Sequence, residues 1–427
     1  MASTTPTFGP AHRALEDYTK LKRSPLQSMA RTAQMAAQTA DNRPPIQDYD
    51  DADILPWITN WIKATLTTQR HAFPTYPATG EQGHYDLTPL LAADGSIRIA
   101  LAGDWGTGTD VADQVSRNMV ATNPPPELTI HLGDIYYVGW GNEVEQNCLG
   151  QDTPAYPGVT WRHGTKGSFA LNGNHEMYSG GNAYFDTFLG TLGIPSSQDQ
   201  KQLTSYFCLE TPAWRILAID TGYNSDTLLG DCSQEKAFLT WLQTIVDPIN
   251  HRKPTIVLSH HQWFSAFGDG NYPTPAAQLS QYLERQEIVW LWGHEHRLAL
   301  YYPYKSPDHG LTVHARCMGH GGMPNEMPDM VNYPDGTVAQ KVEYWDGAVA
   351  ARPERFQHLK DGTLVSKNGY AQMAIKGTEL TLEYLDFDGT SVLKESFVPG
   401  GGGRWDGTLT RTIVNDPHLL ENMEWDE

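Results

Sequence analysis

The chain is short of positive charge. Thirty lysines and arginines stand against fifty aspartates and glutamates, a formal charge of −20 over 427 residues. That balance argues against a nucleic-acid backbone or an anionic membrane as the main partner, because either needs a cationic surface. An anionic substrate would need positive charge supplied locally, as bound metal ions supply it. Cysteine is scarce too. Cys148, Cys208, Cys232 and Cys317 include no C-x-x-C pair and are too scattered for a disulfide scaffold. They read as ordinary thiols, with a Cys208–Cys232 bridge the weaker alternative. No run is long and apolar enough to cross a membrane. The start, Met1-Ala2-Ser3-Thr4-Thr5-Pro6, lacks the basic opening and apolar run of a secretory signal, so a cytoplasmic protein is expected. Internal repeats and low-complexity tracts are missing as well. What is present, 39% hydrophobic and 11% aromatic residues, is the composition of a globular protein.

The first ninety residues read differently from the rest. Residues 11–22 and 28–40 suggest polar helices. Ile54, Trp57, Ile58, Trp61, Ile62 and Leu66 recur at helical spacing and give a stronger amphipathic one. Pro74, Pro77 and Gly80 then break the pattern. From Ser96 to about Cys317 strands and helices alternate. Strands are expected at Ile97–Ala102, Leu128–Leu132, Ser168–Leu171, Thr255–Leu258 and Ile288–Trp292, with helices at Asp110–Val120, Gln234–Val246 and Ala276–Glu284. Ser205–Leu209 and Trp214–Ile219 resemble a hairpin. Residues 318–368 are loop-rich. Tyr370–Ile375, Glu379–Tyr384 and Ser391–Phe397 form a run of hairpins, and the tail beyond Pro399 is expected to be irregular.

Five short motifs follow five of these strands: Gly103-Asp104-Trp105-Gly106, Gly133-Asp134-Ile135-Tyr136-Tyr137, Gly173-Asn174-His175-Glu176, Val257-Leu258-Ser259-His260 and Gly293-His294-Glu295-His296. Loops at the carboxyl ends of strands in open α/β sheets gather ligands. Carboxylate, phenol, amide and imidazole together suit a pair of fairly hard cations and hydrolysis. Asp134 is placed to bridge two ions and Asp104 to end one site. Tyr137 lies three residues past Asp134, so its phenol can return to the metal; a phenolate calls for ferric iron. Tyr136 reads as a loop aromatic. Asn174 adds a ligand without charge, leaving His175 to face substrate with Glu176 fixing its tautomer. In extended chain His294 and His296 share one side and Glu295 takes the other. By the same rule His261 faces away from His260, behind the ligands. His320, between Gly319 and Gly321, could line a pocket or be a loop histidine.

This ordered set resembles the calcineurin-like metallophosphoesterases, and with Tyr137 in the GDxxY position it is most similar to the purple acid phosphatases. The resemblance covers roughly residues 97–300. It implies an α/β fold, a four-layer αββα sandwich of two mixed sheets packed face to face, carrying here an N-terminal helical extension. The expected division is 1–92 for extension and linker, 93–400 for the phosphoesterase domain and 401–427 for a C-terminal tail. It implies that Asp104, Asp134, Tyr137 and His296 hold Fe(III). Asp134, Asn174, His260 and His294 would hold Fe(II), Zn or Mn. A metal-bound hydroxide would attack phosphorus in line, with His175 as the catalytic histidine. Plant members carry further substrate histidines about nine residues beyond the VxxH histidine; here Gly268-Asp269-Gly270-Asn271 stands instead.

The function expected is therefore hydrolysis of small or exposed phosphate monoesters. A phosphodiesterase on the same dinuclear scaffold is the alternative, and a non-catalytic metal-containing binding protein a third reading. No nucleic-acid or membrane partner is expected.

Overall fold

The computed structural model of the chain describes residues 68–415 except 81, 154–155, 196–199, 226–229, 268–269, 327–341, 346–355, 359–363 and 402–404. The helices expected over 11–22, 28–40 and Ile54–Leu66 lie outside the described residues.

Two mixed sheets carry the structure. In the first, Ser96–Ala102, Leu128–His131 and Gly167–Ala170 run parallel at the centre. Gly193–Ile194 and Gln200–Lys201 continue it on one side. Gly369–Lys376, Glu379–Asp386, Ser391–Pro399 and Leu409–Asn415 extend it as an antiparallel meander on the other. In the second sheet the parallel core is Arg215–Ala218, Thr255–Ser259, Glu287–Trp292 and Thr312–Met318. Phe207–Glu210 pairs antiparallel with Arg215–Ala218, the hairpin expected there. Leu298–Tyr301 and Val342–Trp345 close the far edge.

The period of two along each strand divides its residues between layers. Ile97, Ile99, Leu101, Ile130 and Phe169 face Leu209, Ile216, Ile256, Val289 and Leu291 across the interior between the sheets. Leu217, Val257, Ile288 and Trp290 turn outward under Phe238, Trp241, Leu242 and Leu279 of the helical segments Lys236–Val246 and Pro273–Leu283. On the opposite outer face Ala100, Ala102 and Ala170 pack beneath Val111, Val115 and Met119 of the helix Asp110–Val120. Helices, sheet, sheet and helices are the four layers expected. Thr109 caps the last of these helices by accepting from Ala112 N–H, and Asp110 and Asp113 sit in its first turn, where the helix dipole favours negative charge.

Two elements differ from the expectation. Leu409–Asn415 is a regular strand on Ser391–Pro399, and not irregular tail. Thr312–Met318 is a central strand that its sequence, with His314 and Arg316 in it, does not advertise. Arg316 points into the interior because Glu395 of the opposite sheet meets it there, at 2.6 and 2.8 Å. All four cysteines are buried free thiols.

Candidate metal centre

The parallel strands of both sheets deliver their carboxyl ends to one place. Ser96–Ala102 leads to Asp104, Leu128–His131 to Asp134, Gly167–Ala170 to Asn174, Thr255–Ser259 to His260 and Glu287–Trp292 to His294. Three of these residues hold left-handed backbone that side-chain-bearing residues seldom adopt: Asp104 at φ 55°, Asp134 at 76° and His294 at 65°. Such conformations cost roughly 1–3 kcal/mol each and cluster at functional sites. Surrounding hydrogen bonds hold them. Asp104 N–H donates to Gly133 O, and His294 N–H to Asp104 Oδ2 at 2.7 Å. The glycines before the ligands are needed for close approach: a Cβ on Gly293 would lie 2.7 Å from Asp104 Oδ2, and one on Gly173 would collide with Asp134 Oδ1.

Three side-chain atoms gather around the Tyr136 hydroxyl. The Tyr136 hydroxyl lies 3.0 Å from Asp104 Oδ1, 3.2 Å from Asp134 Oδ2 and 3.0 Å from His296 Nε2. His296 Nε2 is 3.5 Å from Asp104 Oδ1. Metal–ligand bonds of about 2.1 Å at right angles leave neighbouring ligands about 3 Å apart, and the Tyr136 hydroxyl stands at that spacing from each of the three. A second set adjoins the first. His260 Nε2 lies 3.2 Å from Asp134 Oδ1 and 3.0 Å from Asn174 Oδ1, and the His294 ring is 5.2 Å from that of His260. Backbone and phenol partners aim these ligands. His260 Nδ1 meets Leu132 O at 2.9 Å, and Asn174 Nδ2 donates to the Tyr178 hydroxyl at 2.8 Å, which turns Oδ1 inward.

Asp104 and Asp134 are both fully buried. Among the described residues neither is paired with a lysine or arginine. Burial opposes ionisation of Asp134, but His260 and His175 beside it hold its carboxyl well below the usual range. His260 answers: burial pushes it down, yet the Asp134 charge and hydrogen bond together outweigh that and raise it to about 9. Two buried carboxylates would be neutralised by cations, and this donor set of oxygens and imidazoles suits them.

Residues 97–298 match the family described as calcineurin-like phosphoesterase. This stretch of the chain is a calcineurin-like phosphoesterase. The protein is thereby a hydrolase acting on phosphoester bonds. No curated protein matches it. Among solved structures it is similar to GAP50, "the anchor in the inner membrane complex of Plasmodium", with 12% identity, 70% of this chain and 87% of that one covered, and a TM-score of 0.43. A structure of PhoD gives 12% identity, 78% and 74% coverage and a TM-score of 0.42. Scores this low add no argument to the family match.

The phosphoesterase centre gathers all five motifs, with three differences from the sequence reading. The phenol at the centre belongs to Tyr136. Tyr137 packs its ring against Tyr136 and Met323 and meets the site through its backbone, its carbonyl 2.7 Å from His175 Nδ1 and its N–H donating to Glu143 Oε1. The structure gives the reason: Ile135 bridges to Gly106 in strand-like fashion, so Asp134 and Tyr136 fall on one side. Glu143 holds this loop by accepting from Tyr137, Val138 and Trp140 N–H.

The second difference concerns Glu176. The Nδ1 partner of His175 is the Tyr137 carbonyl, whereas Glu176 Oε2 accepts from Gly173 N–H at 3.0 Å and caps the turn that carries Asn174. Burial first, and then the Asp134 charge, push the Glu176 carboxyl up to about 8. His175 Nε2 points to the shared carboxylate, 3.7 Å from Asp134 Oδ2. The third difference is His261, expected to face away. Its ring lies 4.3 Å from that of His294. His320 is buried, and its carbonyl accepts from Gly369 N–H.

Proposed function

We propose that the enzyme is a two-metal phosphomonoesterase of the purple acid phosphatase type. Asp104, Asp134, Tyr136 and His296 would hold one ion, ferric by the demand of a phenolate. Asp134, Asn174, His260 and His294 would hold a divalent partner, Fe(II), Zn or Mn. The observation that carries this reading is the division of Asp134: Oδ2 faces the Tyr136 set and Oδ1 faces His260, the arrangement a bridging carboxylate requires.

Metal ions held by these residues would supply Lewis acidity toward phosphoryl oxygens and an activated water. The chain's own residues do the rest. His175 donates from Nδ1 to the Tyr137 carbonyl and presents Nε2 at the edge of the centre; in its imidazolium form, Nε2–H would pass its proton to the leaving oxygen and leave the neutral ring behind. Glu176 keeps the Gly173–Asn174 turn in place and orients the amide ligand. The test is turnover of a chromogenic phosphomonoester and its diester analogue by metal-loaded protein and by protein stripped with a chelator. Metal-dependent hydrolysis of the monoester, with the diester at least tenfold slower, is the expected result. A diester cleaved faster overturns the monoesterase assignment, and undiminished activity after stripping overturns the two-metal reading.

A further inference from the structure

We infer that His261 donates a hydrogen bond from Nε2 to the phosphoryl group at the divalent side of the centre, with Thr221 setting its tautomer; this rests on the two-metal phosphoesterase reading above. The strand that carries His260 ends at Ser259. Beyond it the chain bends, and consecutive side chains no longer alternate. His261 is therefore 1% exposed within the same cluster as its neighbour. Its ring lies 4.8 Å from that of His260, 4.3 Å from His294 and 5.1 Å from Tyr272. One ring nitrogen from each of the three histidines falls within 4.8 Å of the others.

Proximity alone would make His261 a fifth ligand of the divalent ion. Thr221 decides otherwise. Its Oγ1 accepts the backbone N–H of His261 at 2.8 Å and lies 3.2 Å from His261 Nδ1. A hydroxyl has one proton and two lone pairs. If Nδ1 carried the imidazole proton, both lone pairs would be accepting. The proton of this buried hydroxyl would then find no acceptor among the described residues. With Thr221 donating to Nδ1 the pair is satisfied, which is the state buried polar groups adopt. The imidazole proton then resides on Nε2. A protonated ring nitrogen cannot bind a cation, but it can donate to an anion. With Nδ1 turned to Thr221, the nitrogen left for the cluster is Nε2. A neutral donor packed against His260 and His294 adjoins the positions that the protein ligands leave for phosphoryl oxygens.

The experiment measures metal content and, by calorimetry, the affinity of the metal-loaded full chain for inorganic phosphate. His261→Ala is expected to keep two metal equivalents and to bind phosphate about 10–100-fold more weakly, the usual worth of a hydrogen bond to a charged group. His261→Gln, whose amide can donate from a similar position, is expected to recover part of that loss. Thr221→Val, which frees the tautomer, should weaken phosphate binding, and Thr221→Ser should not. Loss of one metal equivalent in His261→Ala would make the residue a ligand and overturn the inference. So would unchanged phosphate affinity with both metals retained. If His261→Ala fails to fold, the Thr221 pair decides, and equal phosphate affinities for Val and Ser overturn it. A wild-type protein that binds two metals and phosphate yet hydrolyses no ester contradicts the proposed function and leaves the His261 result standing by itself.

Discussion

The Tyr136 hydroxyl lies 3.0 Å from His296 Nε2, although the two residues are separated by 160 positions and belong to loops of different sheets. Asp104 and Asp134 complete the group around them. A phenol in this position has a spectroscopic consequence. If the ion there is ferric, phenolate-to-metal charge transfer should give a visible band. Tyr136→Phe should abolish it and Tyr137→Phe should leave it, the reverse of what spacing within the motif implies. An absorption spectrum of each purified variant checks this, and a band lost only in Tyr137→Phe would contradict the assignment.

His175→Ala should keep both metals and lower turnover by roughly 10²–10⁴, the range for a positioned acid–base group. The loss should be larger for an alkyl phosphate than for an activated aryl phosphate, whose leaving group needs little protonation. Equal losses would mean that His175 stabilises the phosphoryl charge instead.

Glu176→Gln separates the two accounts of that carboxylate. Because the Tyr137 carbonyl holds His175, Gln at 176 should leave turnover within about tenfold of wild type, well short of the loss from removing an acid–base group. Gly173 N–H can still donate to the amide oxygen. A loss matching that of His175→Ala, measured with both metals present, would return the tautomer-setting role to Glu176.

Much of this centre is legible in the amino-acid order. The spacing of Asp104, Asp134, Asn174, His260, His294 and His296 follows from strand ends, and the fold brings those six together. What is illegible depends on where the chain stops being extended. Alternation misplaces His261 because the strand ends at Ser259. The motif position favours Tyr137, although alternation from Asp134 points to Tyr136. Arg316 disguises a central strand because its partner Glu395 is 79 residues away, and no local pattern reports such a pairing. Leu409–Asn415 is hidden by the glycines before it.

That distant pairing has its own consequence. Glu395 accepts from Arg316 across the two sheets, from Arg411 of the edge strand and from the Tyr384 hydroxyl. Burial opposes its charge, but Arg316 and Arg411 together outweigh burial and lower the carboxyl to about 2. A depressed carboxylate stabilises the fold above its unfolded value of 4.5, and that contribution is lost as pH falls from 4.5 toward 2. Glu395→Gln should cost about 3–5 kcal/mol at neutral pH, the price of stranding a buried charge. Chemical denaturation of both proteins between pH 7 and the acid limit checks it: the stability gap should narrow as pH falls below 4.5. A gap independent of pH would contradict the ion pair.

The central claim is that Asp134 joins two cations, and metal content tests it most directly. Elemental analysis of active wild-type protein should find two equivalents per chain. His260→Ala should lose chiefly the divalent one, and Asp134→Ala should retain less than one in total. One equivalent or none in active wild-type protein, or two retained in Asp134→Ala, would contradict the account.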